Sequence, residues 1–209
     1  MFTGIVEDLG RVVSRDRARI VVRSSIAASD TGVGDSIAID GVCLTVVARA
    51  NDELSFDISP ETFARTTLGS LRVGGAVNVE RPATLASRLG GHLVQGHVDG
   101  VAHVTAVHAE PEGGARLSLR LPQHLLRFLV EKGSITLDGV SMTVAALRDD
   151  EIDVALIPHT LLVTTLGSAR EGDPVNVEVD VMAKYVARNI EHVMTDGVAV
   201  ARTGKERTA

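Results

Sequence analysis

The chain has 209 residues, a formal charge of −6, no Trp, one Tyr, four Phe and a single Cys. That length suits one large domain or two of roughly 100 residues, each burying its own core. The acidic balance and the scarcity of aromatic rings exclude a phosphate-tracking or base-stacking surface, so nucleic acid is not an expected partner. Cys43 alone excludes an intramolecular disulfide framework and any CxxC metal or redox motif. No stretch approaches the ~20 apolar residues of a membrane span. Met1-Phe2-Thr3-Gly4 lacks the basic and apolar regions of a signal peptide, so a cytoplasmic protein without membrane contact is expected.

Along the chain, Arg19–Arg23, Ser36–Asp40, Cys43–Ala48, Leu54–Ile58 and Ala76–Glu80 are short, β-branched and partly alternating, with Gly, Asp or Asn at the joins. Each is predicted to be a strand. Short helical turns are predicted at Pro60 and Pro158, where proline suits the first helical position, and over Gln123–Leu129. Ala83–Leu89, followed by Gly90-Gly91, is expected to be a helical connector. Near the end, Met182, Val186, Ile190 and Val193 share one stripe of a helix of about three turns. The pattern leaves open whether that stripe packs on its own barrel or on another chain. Beyond it, residues 197–209 are expected to be disordered.

The chain repeats itself. Offset by 98 residues, Gly34–Glu80 falls on Lys132–Glu178 without a gap, and about half the positions match. Asp40-Gly41-Val42 meets Asp138-Gly139-Val140, and Thr66–Ser70 meets Thr164–Ser168. An offset of 92 aligns Gly4-Ile5-Val6-Glu7 with Gly96-His97-Val98-Asp99, which places an insertion around Glu110–Ala115. Many short strands in about 90 residues suggest a small closed barrel in each repeat, since closure removes exposed edges.

In a duplicated protein, polar mismatches at matched positions are where the halves differ in task. Cys43 meets Ser141, Ile5 meets His97, and Gly34 meets Lys132. Cys43 and Thr45 lie on one strand face, as do Ser141 and Thr143. A lone Cys is more often a buried small hydrophobe, but a hydroxyl at the matching position argues for chemistry. His92, His97, His103 and His108 scatter over different faces and make a poor metal cluster. Gly32-x-Gly34 falls short of a dinucleotide loop.

These residues resemble the riboflavin synthase family, the alpha-chain type with two lumazine-binding repeats. The resemblance runs from Met1-Phe2-Thr3-Gly4-Ile5-Val6 through Gly41–Val46, Gly91–Gly100, Lys132–Ile135, Asp138–Val144 and Ile157–Thr160 to Asp180–Val186. It implies an all-β fold of two tandem six-stranded Greek-key β-barrels with a C-terminal α-helix. The expected bounds are 1–89 and 90–182 for the repeats, 183–196 for an oligomerisation helix and 197–209 for the tail. The implied reaction is a dismutation of two 6,7-dimethyl-8-ribityllumazine molecules by four-carbon transfer, giving riboflavin and 5-amino-6-ribitylaminouracil. No cofactor and no metal is needed. A homotrimer formed through the final helix and an association with lumazine synthase are also implied.

Carried over by position, one half-site comprises Gly4, Ile5, Val6, Cys43, Leu44 and Thr45 with the turn Asp57, Ile58, Ser59, Pro60, Glu61 and Thr62. The other comprises Gly96, His97, Val98, Lys132, Ser141, Met142 and Thr143 with the turn Leu156, Ile157, Pro158, His159, Thr160 and Leu161. Ser141, Thr143 and His97 are expected to assist proton transfer on one side, while Cys43, Thr45 and Phe2 shape and polarise the other. A non-catalytic antenna protein that holds lumazine or flavin on the same fold is the alternative.

Overall fold

Strand after strand in each repeat carries its apolar residues at every second position, and six such strands roll up until the last pairs with the first. The computed structural model describes residues 1–205, with side chains to Val193. The first barrel consists of β1 (Asp8–Arg15), β2 (Arg19–Arg23), β3 (Ser36–Ile39), β4 (Val42–Ala50), β5 (Glu53–Asp57) and β6 (Ala76–Glu80). Around the barrel the order is β1-β2-β5-β4-β3-β6, all pairs antiparallel, and β6 closes on β1.

The second barrel repeats this with β7 (Gly100–Ala109), β8 (Ala115–Arg120), β9 (Ser134–Leu137), β10 (Val140–Arg148), β11 (Glu151–Leu156) and β12 (Pro174–Val179). Each barrel fills with its own apolar cluster. Ile20, Ile37, Leu54, Phe56 and Leu68 pack in the first, and Leu117, Leu119, Ile135, Leu137 and Val154 in the second. Each such side chain contributes about 1.5–3 kcal/mol on burial.

Small helices cap the barrels. α1 (Ser25–Asp30), not anticipated from sequence, starts where the Ser24 hydroxyl accepts the Ala27 amide. α2 (Pro60–Arg65) and α3 (Pro158–Val163) begin at the predicted prolines, each followed by a 3-10 turn, and another 3-10 turn covers Gln123–Phe128. The expected helix at Ala83–Leu89 is absent; one turn stands in its place. There the Thr84 hydroxyl accepts the Ala86 amide and the Ser87 hydroxyl accepts the Thr84 amide, so side chains divert donors a helix would use. Every side chain from Pro82 to Leu89 is exposed, which leaves a helix no apolar face to bury.

The final helix, α4 (Val181–Lys205), runs past the expected boundary at 196. Residues 206–209 of the expected tail lie outside the described residues. Its inner side is held by Lys184 on Asp99 (2.7 Å) and by a contact of Glu191 with Arg127. Met182, Tyr185, Val186, Ile190 and Val193 stay exposed. No helix among the described residues is long and apolar enough to cross a membrane.

Candidate functional site

Two segments that precede the barrels decide how the site is assembled. Phe2 and Val94 pair with each other, exchanging both backbone hydrogen bonds (2.7 and 3.1 Å). From this junction each segment lands on the opposite barrel. The Gly4 carbonyl accepts the Ser141 amide at 2.7 Å, and the Gly96 carbonyl accepts the Cys43 amide at 2.8 Å. Val6 packs on the core of the second barrel and Val98 on that of the first.

Both crossings require glycine. Gly4 (φ +75°) and Gly96 (φ +80°) take left-handed backbone, and a Cβ on either would lie 2.6 Å from the Cβ of Ser141 or Cys43. The grouping of half-sites by repeat is therefore corrected. His97 and Val98 join Cys43 and Thr45, while Gly4, Ile5 and Val6 join Ser141, Met142 and Thr143. Internal alignment pairs like with like, so it cannot reveal an exchange of segments between like units.

Each crossing is pinned by a buried carboxylate. Glu80 accepts from the Thr3 amide (2.6 Å), the Thr3 hydroxyl (2.8 Å) and the Gly4 amide (3.0 Å). Glu178 accepts from the amides of Gln95, Gly96 and His97 at 2.7–3.0 Å. Burial pushes both carboxyls above the ordinary range, and these donors oppose the shift.

The cluster on the second barrel contains a residue that positional matching missed. His92 is buried, with Nδ1 2.8 Å from Ser141 Oγ and Nε2 3.2 Å from Thr136 Oγ1. Burial lowers its pKa, which favours the neutral imidazole, an effect the Asp180 charge opposes. At the offset of 92 its matching position falls before Met1, so the comparison of repeats does not reach it. The available signal was Gly91: a Cβ there would sit 2.2 Å from the Thr3 carbonyl oxygen and 2.7 Å from Ser141 Cβ, marking a close approach.

In the other cluster Cys43 is half-buried and packs on Phe2, Ala38 and Val94. Phe2 is 1% exposed, so it supports Cys43 from below. Thr45 and His97 are exposed, as are Thr143, Ile5 and Ile157 on the opposite cluster. Leu44, Ile58 and Leu156 belong to the barrel cores, which leaves only their backbone for a ligand.

The two turns differ in polarity. Asp57 pairs with Arg19 at 2.7 Å, Glu61 contacts Arg65, and the Ser59 hydroxyl caps α2 through the Thr62 amide at 3.1 Å. At α3, Ile157 takes the capping place with no side-chain hydrogen bond, beside exposed Pro158 and His159, half-buried Thr160, and Leu161 on the core.

Lys132 is exposed, and its amide donates to the Val144 carbonyl at 2.8 Å from left-handed backbone (φ +65°). Gly34 makes the matching bond to Val46 at φ +97°. A side chain held in this region costs about 1–2 kcal/mol. Lys132→Gly should therefore raise unfolding stability by ~1 kcal/mol in urea titration while removing the ammonium group; a fall in stability would contradict this reading. Among the described residues, no group of three or more His, Cys, Asp or Glu side chains could hold a metal ion.

Comparison with known proteins follows the duplication. The lumazine binding domain family matches twice, over residues 3–82 and 95–180. Riboflavin synthase of Mycobacterium tuberculosis (strain ATCC 25618 / H37Rv) is 50% identical over 196 residues, covering 90% of this chain and 97% of the relative. The riboflavin synthase of Bacillus subtilis (strain 168) is 40% identical, covering 90% of this chain and 89% of its own. Among solved structures, LumP complexed with riboflavin superposes with a TM-score of 0.80 at 28% identity, over 86% of this chain and 99% of LumP. LumP complexed with 6,7-dimethyl-8-(1'-D-ribityl) lumazine gives a TM-score of 0.77 at 28% identity over the same shares.

Proposed function

The chain belongs to the riboflavin synthase family of two-repeat lumazine-binding proteins, and from that premise we propose that it catalyses the dismutation of 6,7-dimethyl-8-ribityllumazine. One lumazine passes a four-carbon unit to another, giving riboflavin and 5-amino-6-ribitylaminouracil. The oxidation of one partner balances the reduction of the other, which is why no added cofactor is called for. The observation that carries this reading is the contact of buried His92 with Ser141 at 2.8 Å, beside the exposed Thr143 hydroxyl.

The reaction needs a proton removed from the 7-methyl group of the donor and a nucleophile added at carbon 7 of the acceptor. His92 can accept the Ser141 hydroxyl proton while its other nitrogen donates to Thr136, so Ser141 becomes the base or the activator of water. Cys43, Thr45 and His97 would polarise the second lumazine. This revises the expected grouping, with His92 replacing His97 beside Ser141. Stacking two rings in register supplies much of the acceleration. Backbone groups of Gly4, Ile5 and Val6, and of Gly96, His97 and Val98, suit the pyrimidinedione edges, and turn hydroxyls such as Ser59, Thr62 and Thr160 suit the ribityl chains.

Both clusters lie open on a single chain, and the apolar stripe of α4 is also exposed. We read the stripe as the contact of a homotrimer that brings the first-barrel cluster of one chain to the second-barrel cluster of a neighbour. A combined Val186→Asp and Ile190→Asp variant should run as a monomer in size-exclusion chromatography with light scattering and lose nearly all turnover. A fully active monomer would contradict the shared site. A cytoplasmic location and association with lumazine synthase belong to the same reading and rest on the family alone.

Incubation of the purified chain with the lumazine tests the function. Flavin formed in large excess over protein supports the enzyme; stoichiometric binding without flavin supports the antenna alternative.

A further inference from the structure

The chemistry above leaves the seam between the barrels unused. Asp40-Gly41 and Asp138-Gly139 form equivalent two-residue hairpin turns, all four residues with positive φ. The turns meet back to back: a Cβ on Gly41 would lie 2.6 Å from the Gly139 nitrogen. Asn78 reaches across to donate to the Asp138 carbonyl and the Thr165 hydroxyl, both at 2.8 Å. Asn176 reaches back to donate to the Asp40 carbonyl at 2.9 Å and accepts the Thr67 amide at 2.8 Å.

Asp40 and Asp138 both line one cavity of about 230 Å³ at this seam. Each accepts one amide, from Asn78 to Asp40 and from Asn176 to Asp138, at 2.7 Å. The charged groups facing them are few. Asp173, in the turn before β12, lines the same cavity, and the lining includes no Lys, Arg or His. The 3-10 turns contribute only uncharged Thr67, Ser70, Thr165 and Ser168. Glu80 on β6 and Glu178 on β12 are engaged by the amides of the crossing segments. Two carboxyls facing one cavity without a cation, Asp40 buried and Asp138 partly so, resist joint ionisation. Burial pushes Asp138 up to about 7; burial together with the Asp138 charge holds Asp40 well above the usual carboxylate range.

We propose that the Asp40–Asp138 pair is a pH-sensitive latch between the barrels, closed while both carboxyls keep their protons and loosened when the first proton leaves. The sign follows from linkage. An unfolded Asp titrates near ~3.9, so from there up to about 7 the folded chain holds a proton that the unfolded chain lacks. Stability falls as pH rises through that window. Asp138→Asn mimics the protonated acid and keeps an acceptor for the Asn176 amide.

The test uses the full chain, with urea midpoints from pH 5 to 9 and hydrogen exchange of the two hairpin turns, corrected for intrinsic rate. The wild-type midpoint should fall most steeply between pH 5 and about 7, and its turn amides should exchange at least several-fold faster at pH 9 than at pH 6. Asp138→Asn should give a flatter profile, exceed the wild type above pH 8, and show no acceleration. Parallel midpoint profiles for both proteins, or pH-independent exchange of the wild-type turns, would overturn the latch. Asp40→Asn serves the same comparison if Asp138→Asn does not fold, and the wild-type exchange result stands without either variant. None of these readouts depends on turnover.

Discussion

Ser141→Ala and His92→Ala should each lower kcat about 10²–10³-fold, with KM for the lumazine changing far less. That range is what positioned proton transfer contributes, roughly 3–4 kcal/mol of barrel-bound transition-state stabilisation. The two groups act as a unit through the 2.8 Å contact, so the double variant should be little worse than either single one. His92 is buried and its pKa is depressed, so the acid limb of the kcat profile should fall below the ordinary histidine value near 6.5. Stopped-flow absorbance of flavin formation across pH measures both. Additive losses in the double variant, or an acid limb above 6.5, would separate His92 from Ser141.

Gly41→Ala should cost about 3 kcal/mol of unfolding free energy, among the largest effects of any single-methyl change in the chain. Two costs combine there. The backbone stands at φ +76°, which disfavours any side chain. The new methyl would also lie 2.6 Å from the Gly139 nitrogen, in a seam where neither backbone can retreat without opening the barrels. Gly139→Ala should behave alike, its methyl 2.8 Å from the Gly41 nitrogen. Gly34→Ala provides the control, because its φ is also positive (+97°) but nothing lies within 4 Å of the added methyl. It should cost only about 1 kcal/mol, the backbone strain alone. Equal urea midpoints for Gly41→Ala and Gly34→Ala would show that the seam tolerates a methyl and is looser than the contact implies.

Much of this architecture was legible in the sequence because it is local or repeated. Alternation and β-branching marked Arg19–Arg23 and Ala76–Glu80 at the bounds the strands occupy, and the offset of 98 residues exposed two equal barrels. The Asp-Gly pairs are hairpin turns for the reason their φ values show. What escaped depends on long-range choices. The exchange of Gly4–Val6 and Gly96–Val98 between barrels leaves every local pattern unchanged. The position matching His92 falls before Met1, so comparing repeats was blind to it, and a histidine between Gly91 and Leu93 has no periodicity to reveal a serine partner 49 positions away. Ala83–Leu89 looked helical by composition, but Thr84 and Ser87 close a turn on each other. The stripe on α4 was visible, and in the single chain it stays exposed.

Two copies of one lumazine are proposed to exchange four carbons on this chain with nothing else supplied. The most direct measurement is the product stoichiometry of a reaction containing only the purified protein and 6,7-dimethyl-8-ribityllumazine. Many turnovers per chain are expected, with two lumazines consumed for each riboflavin and one 5-amino-6-ribitylaminouracil released alongside it. Lumazine bound stoichiometrically and recovered unchanged, or flavin formed without the aminouracil, would contradict it.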